Sequence, residues 1–444
     1  MILQPCYDFL KPNESILLAQ TKASVAYQGK IYEGDAEVRL DLVPNAGIYI
    51  RTSLSSLPLS PSDFKVLTVG GNDVPGFVVW ETIPVNGKVD LVWCPREEPI
   101  TGRGDRSTRI ISVVFHLFNY EGLFGTRRSV ERVGNASYTI HHVDLKAAGW
   151  NVEIKSLPTT SDTFKTLRET GGYGLTHIGC LLKEDGSSFD GKTAEEILTA
   201  LRFFLSFSKG MWCNPCLAVG FDDKENRVWE AWSSPQGHWN TTISWFDPNH
   251  CDQLVNLFPG FMAKWKDENW RKALREVIYW YLSSNCSTLG LGIGIDAGII
   301  LTQAAIERLS FEYAAVYKKL ISKDGFKNKS FRASDRFRLL FSSLHIPIDI
   351  PASLPELHKL AKQFNWLDAP HALTEIRNSL VHPEHKRRDQ FDEAFYPAWD
   401  LGQWYLELAL LRICEYSGTY NNRLVFRKWK GNLETVPWDN NKVK

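Results

Sequence analysis

A chain of 444 residues is long enough for two or three domains, and 43% apolar with 23% charged residues is the composition of a folded globular protein, not a disordered or repetitive one. Basic and acidic residues number 51 each, so no global charge announces a nucleic-acid binder, and any such site has to be a local patch. The start, Met1-Ile2-Leu3-Gln4-Pro5-Cys6, lacks the basic stretch and apolar core of a signal peptide. The run 289–306 is broken by Asp296, Gln303 and several glycines, so a soluble, cytoplasmic protein is expected.

Residues 1–190 read as a β-rich domain. Short alternating segments such as Val38-Arg39-Leu40-Asp41-Leu42-Val43, Gly76-Phe77-Val78-Val79-Trp80 and Val89-Asp90-Leu91-Val92-Trp93 are separated by turn signals, with Asn86-Gly87 a tight-turn pair. Strands at this spacing predict an antiparallel sandwich or jelly roll. Glu97, Glu98, Arg103 and Asp105 read as a solvated charged loop. In 191–249 the period changes: a helix opens at Thr193-Ala194-Glu195-Glu196 and ends near Gly210, and three strands are expected at 216–221, 227–232 and 242–246. This mixed α/β stretch closes or extends the first domain. Its tryptophans, Trp212, Trp229, Trp232, Trp239 and Trp245, suit core packing better than a ligand platform. Cys213 and Cys216 form the one C-x-x-C, but no second ligand pair stands at zinc spacing, so neither metal nor cofactor is expected.

From 250 to 420 the pattern is helical, followed by a tail, 421–444, with a hairpin around Lys430-Gly431-Asn432. Gly290, Gly292 and Gly294 precede a long helix over 295–321 but lack a following Gly-Lys-Ser/Thr, which makes them a bundle entry rather than a phosphate loop. On that helix Gln303 and Glu307 stand at i, i+4 and are expected to satisfy each other in a helix seam. A basic segment follows, from Lys318 to Arg338. The fold class is therefore α+β and multidomain: a β-rich, sandwich-like N-terminal region, a mixed α/β middle and an all-α C-terminal bundle.

The most informative stretch is Glu375-Ile376-Arg377-Asn378-Ser379-Leu380-Val381-His382-Pro383. Ala372, Leu373, Ile376, Leu380 and Val381 recur on one helical face, Asp368 is a fitting N-cap, Pro370 suits a first turn, and Pro383 stops the helix at His382. Arg377, Asn378 and His382 are thus gathered at a helix end. A guanidinium fork matches two phosphate oxygens, and imidazole is the usual general acid or base near neutral pH. Lys386, Arg387 and Arg388 follow directly and suit contact with RNA phosphates.

An arginine, a polar residue and a histidine four residues further on, late in an all-helical domain, resemble the HEPN superfamily. The resemblance covers the last third of the chain, and the β-rich region in front looks like the ApeA-like anti-phage branch. It implies a metal-independent endoribonuclease in which His382 activates the 2′-hydroxyl or protonates the leaving oxygen. Arg377 would steady the transition-state phosphorus, and Asn378 would orient one of these groups. It also implies a homodimer with two such sites face to face, an RNA substrate, and a defence role with the N-terminal region as sensor of an unknown ligand. The competing expectation is a non-catalytic dimerising scaffold that holds nucleotide or protein. An Arg377 buried against Glu375 or Glu307 would favour the scaffold; an exposed His382 would favour the nuclease.

Overall fold

The computed structural model describes the chain outside residues 1–2, 10, 28, 56–63, 83–87, 121, 241, 289–293, 383–387, 426–431 and 440–444. It forms two units: Met1–Arg202 with Cys213–Thr241, and Phe203–Trp212 with Thr242–Lys444.

In the first unit, side chains alternate between inside and outside along six strands: β1 Ile16–Tyr27, β2 Lys30–Asp41, β3 Gly47–Ser55, β4 Val66–Val69, β5 Asn72–Glu81 and β6 Lys88–Pro95. They close as a barrel in the order β1-β2-β3-β6-β5-β4. Val38, Leu40, Ile50, Leu54 and Trp93 fill its interior. Closure brings β2 against β3 so tightly that a Cβ at Gly34 would sit 1.9 Å from the Ser53 carbonyl oxygen, which requires glycine there. A closed barrel removes sheet edges, and it replaces the sandwich expected from strand spacing. The Asn86-Gly87 turn lies outside the described residues.

The next strands are β7 Ile100–Arg103, β8 Arg109–Ile110, β9 Ser112–Phe118, β10 Arg127–Val133, β11 Ala136–Ala147 and β12 Trp150–Ser156. Helix α1 Thr160–Thr170, which the sequence reading did not anticipate, leads to β13 Leu175–Lys183 and β14 Phe189–Asp190. Helix α2 Gly191–Lys209 belongs to the first unit as far as Arg202 and to the second from Phe203. β15 Cys216–Phe221 and β16 Arg227–Trp232 then complete an eight-stranded antiparallel sheet, β10-β11-β12-β13-β9-β15-β16-β7. β15 and β16 pair inside this sheet, whereas Phe203–Trp212 and the residues from Thr242 onward are counted in the second unit, so the mixed stretch is shared between the two. Central strands β9 and β13 are buried almost throughout, which is why they read as continuous apolar runs. The third expected strand, 242–246, does not form: Trp245 is buried, and its indole donates to the Phe207 carbonyl at 3.2 Å. Trp229 and Trp232 are also buried, as core packing requires.

His116 of β9 has no solvent exposure. Its Nε2 accepts from the Cys6 backbone N–H at 3.1 Å, so its Nδ1 carries the proton donated to the Leu217 carbonyl at 3.0 Å. Burial pushes the imidazole down to about 4. Cys213 and Cys216 are buried and not in a disulfide, and no metal-binding cluster occurs among the described residues.

The second unit is helical: α3 Asp252–Lys266, α4 Glu268–Ser287, α5 Ile295–Ser310, α6 Lys323–Lys327, α7 Ala333–Ser343, α8 Pro355–Phe364, α9 Ala369–Val381 and α10 Phe395–Ile413. Asp267 caps α4, accepting from the Trp270 N–H at 3.0 Å. The expected helix 295–321 is shorter: α5 passes at Phe311 into a π-helical turn, Phe311–Tyr317. α10 is buried on nearly every side and is the centre of the bundle. Two-residue strands β17 Thr419–Tyr420 and β18 Glu434–Thr435 pair, and the expected turn residues Lys430 and Gly431 lie outside the described residues. No helix among the described residues is long and apolar enough to cross a membrane.

Candidate functional site

α9 is set by its two ends. Asp368 accepts from the His371 N–H at 3.0 Å, and its carboxylate also takes a two-pronged contact from Arg338 at 2.6 and 3.1 Å. Pro370 occupies the first turn. At the other end, His382 leaves the helix in extended conformation, φ −109°, as the following proline requires. Its N–H closes the last turn on the Asn378 carbonyl at 3.1 Å. Ala372, Leu373 and Ile376 are buried, Arg377 and Asn378 are half-buried, and the His382 side chain is exposed.

Three contacts fix what surrounds this helix end. A Cβ at Gly402 of α10 would lie 2.9 Å from Thr302 Cγ2 and 3.9 Å from Leu373 Cδ2, so α5, α9 and α10 meet at one level. Gln303 Nε2 donates to the Leu373 carbonyl. Glu307, one turn later on α5, pairs with Arg336 of α7, whose neighbour Arg338 holds the start of α9. α5 and α9 therefore run antiparallel. A Cβ at Gly298 would lie 3.0 Å from Trp399, so α10 runs parallel to α5. The C-terminal end of α9, with Arg377 and His382, consequently shares one end of the bundle with the first turns of α5 and α10. Helix N-termini present unsatisfied N–H groups and a positive dipole end.

This geometry corrects one expectation. Gln303 and Glu307 do not satisfy each other: Gln303 holds the backbone of the motif helix, and Glu307 is taken by Arg336. Arg377 Nη1 approaches Asn378 Oδ1 at 3.5 Å, and among the described residues it makes no ion pair with a carboxylate. Lys386 and Arg387 lie outside the described residues. Arg388 opens the 3-10 turn Arg388–Gln390, and its side chain is likewise outside them.

Behind the motif, α10 carries a buried polar seam that the sequence reading missed. Trp399 Nε1 donates to Ser284 Oγ at 2.8 Å, Ser284 meets Thr302 at 2.9 Å, and Gln403 Nε2 donates to Thr302 at 3.1 Å. Further along, Arg423 and Glu407, both with fully buried side chains, pair at 3.0 Å. Tyr281 donates to Glu407 at 2.7 Å, and Arg423 also donates to the Ile243 carbonyl at 2.8 Å. Burial raises the neighbouring Asp400 carboxyl to about 6, against the opposing pull of Arg423. The available signal was Glu407 itself, a charge inside an otherwise apolar helix.

Two further features lie in the first unit. Ser129 Oγ lies 2.7 Å from His142 Nε2, and His142 Nδ1 lies 2.8 Å from Glu153 Oε1, the connectivity of a hydrolase triad. Ser129, however, sits in mid-strand opposite Ile140, not at a sharp turn that would curl backbone N–H groups round its Oγ. Arg127 also takes the same Glu153 oxygen, at 2.6 Å. The row pins the edge strand. On the outer barrel wall, a groove of about 1000 Å³ is lined by Lys22, Asp35, Arg51, Asp90 and the half-exposed Trp80, a mixed polar and aromatic surface.

Two family models match parts of the chain. Residues 105–242 match the family model of the YopA central domain, and residues 267–435 that of the YopA C-terminal domain. The chain is similar to the SPbeta prophage-derived uncharacterized protein YopA of Bacillus subtilis (strain 168). The two are 29% identical over 438 residues, covering 96% of this chain and 95% of that protein. No solved structure gives a significant match. Arg377, Asn378 and His382 all fall inside the C-terminal match.

Proposed function

We propose that the helical unit is a metal-independent endoribonuclease of HEPN type, with Arg377, Asn378 and His382 as its catalytic residues. The observation that carries this reading is the state of the motif. His382 is exposed at the helix end, and Arg377 is not consumed by an acid among the described residues. A guanidinium kept merely for structure is ordinarily paired when half-buried, as Arg336 and Arg338 of the same bundle are.

In the proposed reaction the 2′-hydroxyl of a nucleotide attacks its own phosphorus. The 2′-proton passes to a base and the 5′-oxygen leaves with a proton, giving a 2′,3′-cyclic phosphate and a 5′-hydroxyl. His382 serves one of the two proton transfers, worth about 10²- to 10⁴-fold in rate. Arg377 bridges two non-bridging oxygens and carries the charge that develops there. Asn378, beside Arg377, orients it. Pairing of two sites across a two-fold axis would supply the second proton-transfer group, so the active form is a homodimer through the helical unit.

The role assigned is cytoplasmic anti-phage defence, with the barrel and sheet of the first unit sensing a ligand and restraining the nuclease. A relative carried by a prophage is in keeping with a place in phage conflict. The test is RNA cleavage in EDTA. Wild type is expected to cut, His382→Ala to lose at least about a hundredfold, and Arg377→Lys, which keeps the charge but not the fork, to lose less. Equal cutting by wild type and His382→Ala would refute the assignment.

A further inference from the structure

The basic segment after α5 is not used by the motif. Its two last arginines are spent inside the bundle. Arg336 pairs with Glu307 and lies 4.9 Å over the Phe326 ring, and Arg338 is held by Asp335 and Asp368. The rest of the segment is different. Lys318, Lys319, Lys323, Lys327, Lys329 and Arg332 are all exposed, none is in an ion pair among the described residues, and Asp324 is the one acid between them.

These cations stand on an ordered scaffold. The π-helical turn is closed by the Lys318 N–H on the Tyr313 carbonyl at 2.8 Å and the Leu320 N–H on the Ala314 carbonyl at 2.7 Å. Ser322 caps α6, accepting from the Gly325 N–H at 3.0 Å. Phe326 is buried against Phe311 and Phe331, with ring centroids 5.3 and 6.0 Å away. Wide helical turns of this kind re-aim side chains and recur at functional positions. Here the turn ends on Tyr317, a residue 46% exposed, with Trp270 edge-on at 5.5 Å. Lys264 Nζ lies 4.8 Å and Lys318 Nζ 5.1 Å from the ring centre.

Lys264 is itself paired with Glu415 at 3.7 Å, but a half-exposed aromatic ring beside the unpaired Lys318, Lys319 and Lys323 is what a single-stranded nucleic acid needs: a platform for a base and charges for its phosphates. A membrane surface would call for a broad apolar face beside the lysines, and Leu320 alone supplies little of one. We propose that Tyr317, with Lys318, Lys319 and Lys323, forms a docking surface for single-stranded RNA. The proposal rests on the reading of RNA as the substrate. Tyr317 continues the C-terminal end of α5, whereas Arg377 and His382 lie at its N-terminal end. The surface therefore holds the strand away from the scissile phosphate, and sets length preference and affinity rather than chemistry.

The test is fluorescence anisotropy with the whole protein and a fluorescein-labelled, 2′-O-methylated single strand of about a dozen nucleotides. That strand lacks the attacking hydroxyl, so binding is read without cleavage. Replacing Lys318, Lys319 and Lys323 by Gln is expected to weaken binding at least tenfold. It should also flatten the slope of log affinity against log salt by about 2, roughly 0.7 for each lost contact. Tyr317→Ala is expected to weaken binding by about tenfold, and Tyr317→Phe, which keeps the ring, to bind as the parent does. Unchanged affinity and slope in these variants would overturn the surface, as would a parent that binds phosphatidylserine vesicles and not the strand. Should binding fall as expected while His382→Ala still cuts, the surface stands and the nuclease assignment falls. Should His382→Ala abolish cutting while the surface variants bind normally, the reverse holds.

Discussion

The outer face of the β unit and the core of the helical unit treat charge in opposite ways. In the β unit, ion pairs run across neighbouring strands on the outside: Lys22 with Asp35, Arg51 with Asp41, Arg127 with Asp144. Such pairs are solvated and replaceable, and contribute little. In the helical unit, Arg423 and Glu407 meet with no solvent exposure at all, tying the chain after α10 back to the bundle. Burying both charges costs desolvation, which their mutual contact and the bonds to Tyr281 and Ile243 offset; removing one partner leaves the other stranded. The same kind of interaction is thus ornamental where it is solvated and structural where it is enclosed.

The strongest challenge to that contrast is Arg423→Met. It should cost about 3–5 kcal/mol of the helical unit's stability, read by urea unfolding, because Glu407 is left buried without its cation. Lys22→Met on the barrel should leave the unfolding curve unchanged. A mild effect of Arg423→Met would mean that water enters the pair.

Acid separates the units next. The His116 imidazole, lowered to about 4 against an ordinary 6.5, gives stability that is full above pH 6.5 and is lost as pH falls through 4. At about 1.4 kcal/mol per unit, the β unit loses up to about 3 kcal/mol on that account. The Asp400 carboxyl, raised to about 6 against an ordinary 3.8, does the reverse: its contribution is full below about pH 4 and is lost as pH rises through 6. Between pH 7 and pH 5, hydrogen exchange corrected for its intrinsic rate should speed up around β9 and slow down around α10. Asp400→Asn should remove the second change, and parallel behaviour of both units would contradict the account. The smallest expected effect is Ser129→Ala, which should cost about 1 kcal/mol or less and leave RNA cleavage untouched. A large loss of cleavage would reopen the Ser129–His142–Glu153 row as a site.

Much of the helical unit was legible in the sequence because local signals agreed with the fold. Asp368, Pro370 and Pro383 mark the two ends of α9, and the apolar spacing between them marks its buried face. The π-helical turn was not legible, since Phe311–Tyr317 continues a helical apolar pattern and its wider pitch follows from tertiary packing. Barrel closure was equally hidden: alternation gives the faces of β1 to β6 but not the pairing of β4 with β1 that shuts the cylinder. Residues 242–246 show the converse, a strand pattern overridden when Trp245 is drawn into the helical core. The partners of Arg377, Gln303 and Glu307 depend on which helices lie adjacent, which no local pattern specifies.

The most direct test of the central claim compares two substrates in EDTA: an RNA single strand and its 2′-O-methylated counterpart. Wild type is expected to cut the first to products ending in 2′,3′-cyclic phosphate and to leave the second intact. Cutting of the methylated strand, or cutting that vanishes with EDTA, would contradict that claim.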